Sequence, residues 1–228
     1  MNQALFLCFA AILLAFSSAA GADTNLVANG GFEKAEPGRA DQPAAWDRLD
    51  GLGVQWVEAP EEPGAESHGH AIRLDTAVSE KAMVEQWRRV GIRDWDIPNP
   101  ANDPVAATYG LSFYSAAMPV VSGQAYRVTF DFKGASGGGK LWVRGWGQFQ
   151  GERRRRYETI VFCRVPDKNW HAFSQVFHPT RLRPEVTEMK VMLYAYWPPG
   201  AYWFDNVRIE PVTPAEYERE RRQPEGSK

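Results

Sequence analysis

Cysteine is almost missing from this chain. There are two, Cys8 and Cys163. Cys8 lies inside an apolar run near the amino terminus; if that run is removed, Cys163 stands alone and no disulfide within the chain is possible. Stability must then come from a packed core. Charge of one sign is also lacking: the formal net charge is −2, which argues against nucleic acid as a partner. No second apolar stretch approaches the length of a membrane span after residues 5–16. Heptads and internal repeats are missing, and helical periodicity is scarce. There is no Gly-x-Ser-x-Gly elbow leading from a strand into a helix, and with Cys8 removed no second cysteine for a thiol pair.

What is present begins with the amino terminus. Residues 5–16 are apolar, and Ser17-Ser18-Ala19-Ala20-Gly21-Ala22 follows. That is the pattern of a signal peptide cut after Ala22. Cys8 comes too early for a lipoprotein cleavage site, and a retained membrane anchor is the alternative. Residues 1–22 are therefore set apart, and an exported, soluble chain is expected, secreted, periplasmic or on the cell surface. Residues 23–210 suit one all-β domain, and residues 211–228 are charged and poor in apolar side chains. This end is expected as a flexible tail with one helical turn around 215–221, or as a linker. Nine tryptophans are many for a chain of 228 residues. They predict either a heavy core or a stacking surface.

Short β-rich runs recur between clusters of Gly, Pro, Asn and Asp, the pattern of an all-β protein. Strands are expected at 25–33, 53–58, 70–76, 83–90, 109–116, 124–133, 140–149, 157–165, 170–178, 189–197 and 202–210. An acidic loop is expected at 59–69 and a long, proline-rich one at 91–108. The segment Asn25–Glu33 and the aromatic run Tyr202–Ile209 stand at opposite ends of the exported chain and look like partners. Side by side, they would close a two-layered β body.

One strand pair can be argued residue by residue. Tyr126, Val128, Phe130 and Phe132 alternate with Arg127, Thr129, Asp131 and Lys133. After the turn Gly134-Ala-Ser-Gly-Gly-Gly139, Leu141, Val143, Gly145 and Gly147 alternate with Trp142, Arg144, Trp146 and Gln148. A hairpin pairing Lys133 with Lys140 sets large side chains opposite glycines inside. It places Trp142, Arg144, Trp146 and Gln148 on the outer face. A bulge in the turn would reverse the parity and bury both tryptophans. On another strand Val191, Leu193 and Ala195 face the core, while Met192, Tyr194 and Tyr196 face out, or pack beneath the insertion.

Few residues point to chemistry. Arg153–Arg156 follows Gly151-Glu152 and is expected in a hairpin loop, either solvated or gripping an anionic polymer. His68-Gly-His70 is a weak metal signal, and His171 and His178 are expected at the surface. No strand carries two carboxylates about a residue apart that could share acid and nucleophile roles. Glu158 and Asp131 are single acids. No catalytic residue is assigned.

Asn25-Leu-Val-x-Asn-Gly-Gly-Phe-Glu33 with Pro43-Ala-Ala-Trp46 resembles the opening of jelly-roll carbohydrate-binding modules of the family 4, 9 and 22 type. Ser67-His-Gly-His-Ala-Ile-Arg-Leu74, Ser122-Gly-Gln-Ala-Tyr-Arg-Val-Thr-Phe-Asp-Phe-Lys133, Asn169-Trp-His-Ala-Phe-Ser-Gln-Val-Phe177 and Tyr202–Ile209 continue the likeness in order. Residues 91–118 depart from it as an insertion. The resemblance implies an all-β, galactose-binding-domain-like sandwich of two antiparallel sheets. It implies a polysaccharide or oligosaccharide as partner and a structural calcium between the first and last strands, with Glu33 and Asp205 as ligands. The alternative is that Asp205 caps a bulge and Glu33 is solvated. On this reading Trp142, Arg144, Trp146, Gln148, Tyr194 and Tyr196 form the sugar platform: flat rings for the C–H face, polar groups for the hydroxyls. The protein is expected to be a monomer without catalytic activity. An interaction protein of the cell surface using the same fold, or less readily a glycan-active enzyme, are the other readings.

Overall fold

Alternating strands have one apolar and one polar side, so they must be stacked in pairs of sheets to hide the apolar sides. The computed structural model describes residues 24–62, 68–93 and 96–222, and the strands are stacked in this way. In chain order the elements are β1 (Ala35–Glu36), β2 (Arg39–Pro43), β3 (Val54–Glu58), β4 (His70–Asp75), α1 (Glu80–Val90), a 3-10 turn (Val105–Ala107), β5 (Leu111–Tyr114) and β6 (Met118–Pro119). There follow β7 (Ala125–Lys133), β8 (Gly139–Phe149), β9 (Glu152–Phe162), β10 (His171–Phe177), β11 (Val186–Ala195), β12 (Ala201–Val212) and α2 (Pro214–Glu220).

The first sheet runs β10-β7-β12-β4-β3 and the second β5-β11-β8-β9, with β6 also on β11. All the pairings are antiparallel. From β7 onward the chain passes back and forth between the sheets, the wrapping of a jelly roll. Phe130, Phe132, Tyr202, Phe204, Ile72 and Leu74 from the first sheet meet Leu141, Val143, Val191 and Leu193 from the second. Each is at most 2% exposed, and each such side chain contributes roughly 1.5–3 kcal/mol by leaving water. Among the described residues no helix is long and apolar enough to cross a membrane.

The amino-terminal segment does lie beside β12, but not as a strand. β4 pairs with residues 201–204 of β12. Beyond the bulge at Asp205–Arg208 the amino-terminal segment takes over that edge. Leu26 N–H donates to the Ile209 carbonyl and Val207 N–H to the Gly30 carbonyl, both at 2.8 Å. Ile209 N–H donates to Asn25 Oδ1 at 3.0 Å. Asn29 and Phe32 have φ of 53° and 57°, which an extended strand does not permit.

Four other expectations are corrected. Residues 83–90 are helix, not strand. Ser79 caps α1 by accepting Ala82 N–H, Gly91 ends it with φ 76°, and Met83, Val84 and Gln86 are buried. These are ordinary helix start and stop signals. Second, β7 and β8 do not pair. Both edges of β7 are taken by β10 and β12, and both edges of β8 by β11 and β9. The glycine run carries the chain across the sandwich instead. A Cβ on Gly139 would lie 2.1 Å from the Phe132 ring. Third, Arg153–Arg156 belong to β9 rather than to a loop. The β8–β9 turn is only Gln150-Gly151, with φ 54° and 80°, the two positive values of a tight hairpin turn. Fourth, Pro211 and Val212 complete β12, and α2 is capped by Thr213 with Glu216 in a reciprocal box. Arg127 holds Glu220 through two hydrogen bonds, at 2.6 and 3.3 Å. The tail is thus folded back as far as residue 222. Residues 1–22 and 223–228, and Trp95 of the insertion, lie outside the described residues.

The join between the amino-terminal segment and β12 is testable at one atom. A Cβ on Gly30 would stand 1.8 Å from the Val207 carbonyl oxygen, whereas one on Gly200 would meet nothing within 4 Å. Gly30→Ala should cost ~3 kcal/mol in urea unfolding, and Gly200→Ala should be near neutral.

Candidate functional site

The outer face of the second sheet is set by the parity of β8. Leu141 and Val143 are fully buried. Trp142, Arg144 and Trp146 are half-buried on the opposite side, and Gln148 is exposed. In register, Met192, Lys190 and Glu188 of β11 flank them on one side, and Ile160, Glu158 and Arg155 of β9 on the other. Two residues along β11 from Met192, Tyr194 shares this face and lies opposite Lys140. Tyr196, just past β11, stacks on Tyr194 with centroids 5.8 Å apart. The face therefore brings Trp142, Arg144, Trp146, Gln148, Tyr194 and Tyr196 onto one surface.

They are not equally open. The Arg144 guanidinium lies 4.9 Å over Trp142. Its Nε donates to Glu158 at 2.9 Å, and a terminal nitrogen donates to the Tyr114 hydroxyl. The same nitrogen lies 3.2 Å from Met192 sulfur. So Tyr114, from the insertion, helps to clamp Arg144 onto Trp142. The Trp142 indole N–H is buried with no hydrogen-bond partner among the described residues, a cost of about 1–3 kcal/mol that packing must offset. Trp142 works as a strut. Tyr194 is also partly enclosed: its hydroxyl donates to the Tyr109 carbonyl at 3.1 Å, and Gly110 sits against its ring. Burial first, and Tyr196 second, push its phenol upward.

Trp146 differs. Arg153 lies 5.2 Å over its ring but is held only by Glu188, and both of these side chains are well exposed, 53% and 33%. An exposed ion pair contributes roughly 0.2–1 kcal/mol, while stacking a flat ligand on an aromatic ring gains roughly 1–3 kcal/mol. Stacking wins, so Arg153 can be displaced from Trp146. The arginine run as a whole is matched by acids: Arg153 with Glu188, Arg154 with Glu152, Arg155 with Glu158, and Arg156 with Glu185. With Glu158 serving both Arg144 and Arg155, every guanidinium here is engaged by a carboxylate, which makes a hydrogen-bonding rim rather than a bare basic groove.

The acids expected to hold calcium lie on the other sheet. Asp205 is fully buried, and its Oδ2 is 3.0 Å from His68 Nδ1. Asp131 faces Asp205 across β7–β12 and is 3.8 Å from the same imidazole. Asn206 donates its side-chain N–H to Asp131 and its backbone N–H to Asp205. His68 itself stacks on Trp170 at 4.1 Å. Glu33 is turned to His70, accepting its backbone N–H at 2.8 Å and lying 3.2 Å from its ring. Burial pushes the Asp205 carboxyl up to about 8; the Asn206 N–H bond, next in size, opposes it, and the negative charges of Asp131 and Glu33 add to the rise. As they stand, Glu33 and Asp205 are divided between two imidazoles. Among the described residues no three His, Cys, Asp or Glu side chains are gathered as a metal site.

No protein-family model matches the sequence, and no curated protein matches it. Solved structures are similar. An arabinose-bound MgGH51 α-L-arabinofuranosidase shares 15% identity over 83% of this chain, with a TM-score of 0.49. The chain spans only 27% of that enzyme. TmCBM61 in complex with β-1,4-galactotriose shares 15% identity over 82% of this chain and 99% of its own, with a TM-score of 0.44. A family 16 carbohydrate-binding module shares 15% over 81% and 99%, with a TM-score of 0.45. The last two are carbohydrate-binding modules, the class that the sequence motifs resemble. With TM-scores below 0.5, the functional argument rests on this chain's own residues.

Sequence reasoning missed two members of the outer face. Lys140 and Phe162 gather beside Tyr194 and Tyr196, and Trp197, next in sequence to Tyr196, is exposed. Lys140 is one alternation step from Trp142, so the parity already marked it. Phe162 became visible only once β9 was paired with β8. His68 and Asp131 were likewise taken singly: the bond from His68 to Asp205 spans 137 residues, and Asp131 is tied in through Asn206, 75 residues away.

A carboxyl whose folded pKa is about 8 holds its proton to a higher pH than the unfolded chain does, where it ionises near 4. Its contribution to stability is therefore complete below about pH 4 and is lost as pH rises to about 8. In chelator, Asp205→Asn should flatten this fall in stability between pH 4 and 8, as measured by urea unfolding.

Proposed function

We propose that this protein binds a polysaccharide without chemical turnover, on the outer face of the second sheet. The observation that carries the reading is Trp146: an outward indole in mid-sheet, covered only by a weakly held guanidinium. Arg153, Glu188, Gln148 and Arg155 around it offer hydrogen bonds to sugar hydroxyls. Tyr196 and Tyr194 lie at the far end of β8. Six residues of strand separate Lys140 from Trp146, roughly 20 Å, so an extended chain of several sugar rings would be needed to reach both. Trp142, beneath Arg144, supports the floor of this surface rather than touching ligand. The fold class and the sugars in the neighbouring structures, galactotriose and arabinose, agree with a glycan partner.

The remaining parts of the proposal rest on the sequence. The pattern of residues 1–22 favours export, and the protein would act as a monomer outside the cytoplasm. The acids Glu33 and Asp205 would hold a structural calcium once Glu33 rotates away from His70. Neutralising two carboxylates near each other is what a cation would contribute there. No pair of acids on the outer face is placed for acid and nucleophile roles, since Glu158 is bound by Arg144 and Arg155.

Affinity electrophoresis on soluble polysaccharides tests the binding. Trp146→Ala should weaken retardation by roughly ten-fold or more, the loss of one stacked ring, with an unchanged circular dichroism spectrum. Trp142→Ala should instead lower the melting temperature. A Trp146→Ala variant that binds as well as the parent would remove the platform. For the metal, added calcium should raise the melting temperature and chelator lower it; indifference to both would dismiss the site.

A further inference from the structure

One corner of the outer face has a feature that the proposed platform does not use. Lys140 projects between β11 and β9, opposite Tyr194 and Phe162. Its ammonium lies 4.4 Å from the Tyr196 ring centroid, 5.4 Å from Phe162 and 5.8 Å from Tyr194. Three rings surround one cation. One of these rings, Phe162, is 42% exposed, so the corner is open to a ligand.

The charge balance of this cation sets it apart from the arginines. Each of Arg153–Arg156, and Arg144, has a carboxylate partner. Lys140 has none among the described residues; its contacts are with rings. Cation–π attraction is electrostatic and fixes where the ammonium sits. It leaves the three N–H donors unspent. A cation fixed in place, with free donors, in a partly apolar and open corner, recognises an anion carried on a flat apolar ring.

We propose that this corner is a subsite for the carboxylate of a uronic acid unit within the bound glycan. The sugar's C–H face would lie against the exposed Phe162 ring, and its carboxylate would accept hydrogen bonds from Lys140 Nζ. This rests on the glycan reading of the same face and goes beyond it by naming the acidic sugar and the residue that selects it. The arginine run, spent on its own acids, would have no part in it.

The test uses affinity electrophoresis of the full protein on matched pairs of polymers: xylan against glucuronoxylan, and galactan against polygalacturonate. At low salt the uronate-bearing member of at least one pair should be bound roughly ten-fold more tightly. The preference should shrink as salt is raised, since the contact is partly exposed. Lys140→Met keeps the apolar stem that covers the rings. It should abolish the preference while leaving binding of the neutral polymer unchanged, and Lys140→Arg should restore much of it. Equal binding of both members by the parent, or a preference that survives Lys140→Met, overturns the subsite and leaves the neutral platform standing. Failure to bind any polymer of either kind overturns the platform and the subsite together.

Discussion

The edge that β12 offers beyond its bulge is the constraint on which the rest depends. β4 stops at Phe204, and the amino-terminal segment takes the next hydrogen bonds, at Val207 and Ile209. That one substitution of partners fixes Phe32 in the core and brings Glu33 to the β4 end beside His70. Asp205 keeps its place in the ladder opposite Asp131, and the bulge follows it. The positive φ of Asn206, 51°, belongs to that bulge, and Asn206 reaches back to Asp131 with its side chain and to Asp205 with its backbone N–H.

The two outer faces of the sandwich are treated differently. That of the first sheet is covered. Trp170 donates its indole N–H to the Pro60 carbonyl, and Glu62 meets both Lys133 and Trp170 N–H. The cover buries Asp205 and holds His68 against it. Lys133, acting first, draws the Glu62 carboxyl below its usual range. The face of the second sheet has no such cover along β8. Its side chains are restrained by each other, tightly at Arg144 and loosely at Arg153. A ligand surface needs both conditions: a floor that does not move and a top layer that does.

How much of this was legible in the sequence follows from what alternation can and cannot encode. Period two tells which side chains of β8 face inward, and Leu141, Val143 and the outward Trp142 and Trp146 lie as read. It does not tell which strand lies alongside. Phe132 and Gly139 do come close, but from opposite sheets, and the same parity serves a hairpin and a crossing equally. Helix α1 was hidden because Met83, Val84, Trp87 and Val90 can be taken as a short apolar run; the cap at Ser79 and the stop at Gly91 were the better signals. The acid cluster was half legible. Glu33 and Asp205 could be carried over by likeness, but His68, which comes between them and any shared ion, could be placed only by the fold.

β9 ends its sheet, so its outward backbone would ordinarily invite another chain to add a strand. Four consecutive guanidiniums occupy its first half, each tethered to an acid. A second copy approaching that border would have to strip water from this crowded ionic hedge and set like charges side by side. Adding a strand at this border would cost the desolvation of four ion pairs, the kind of obstacle that discourages edge-to-edge pairing.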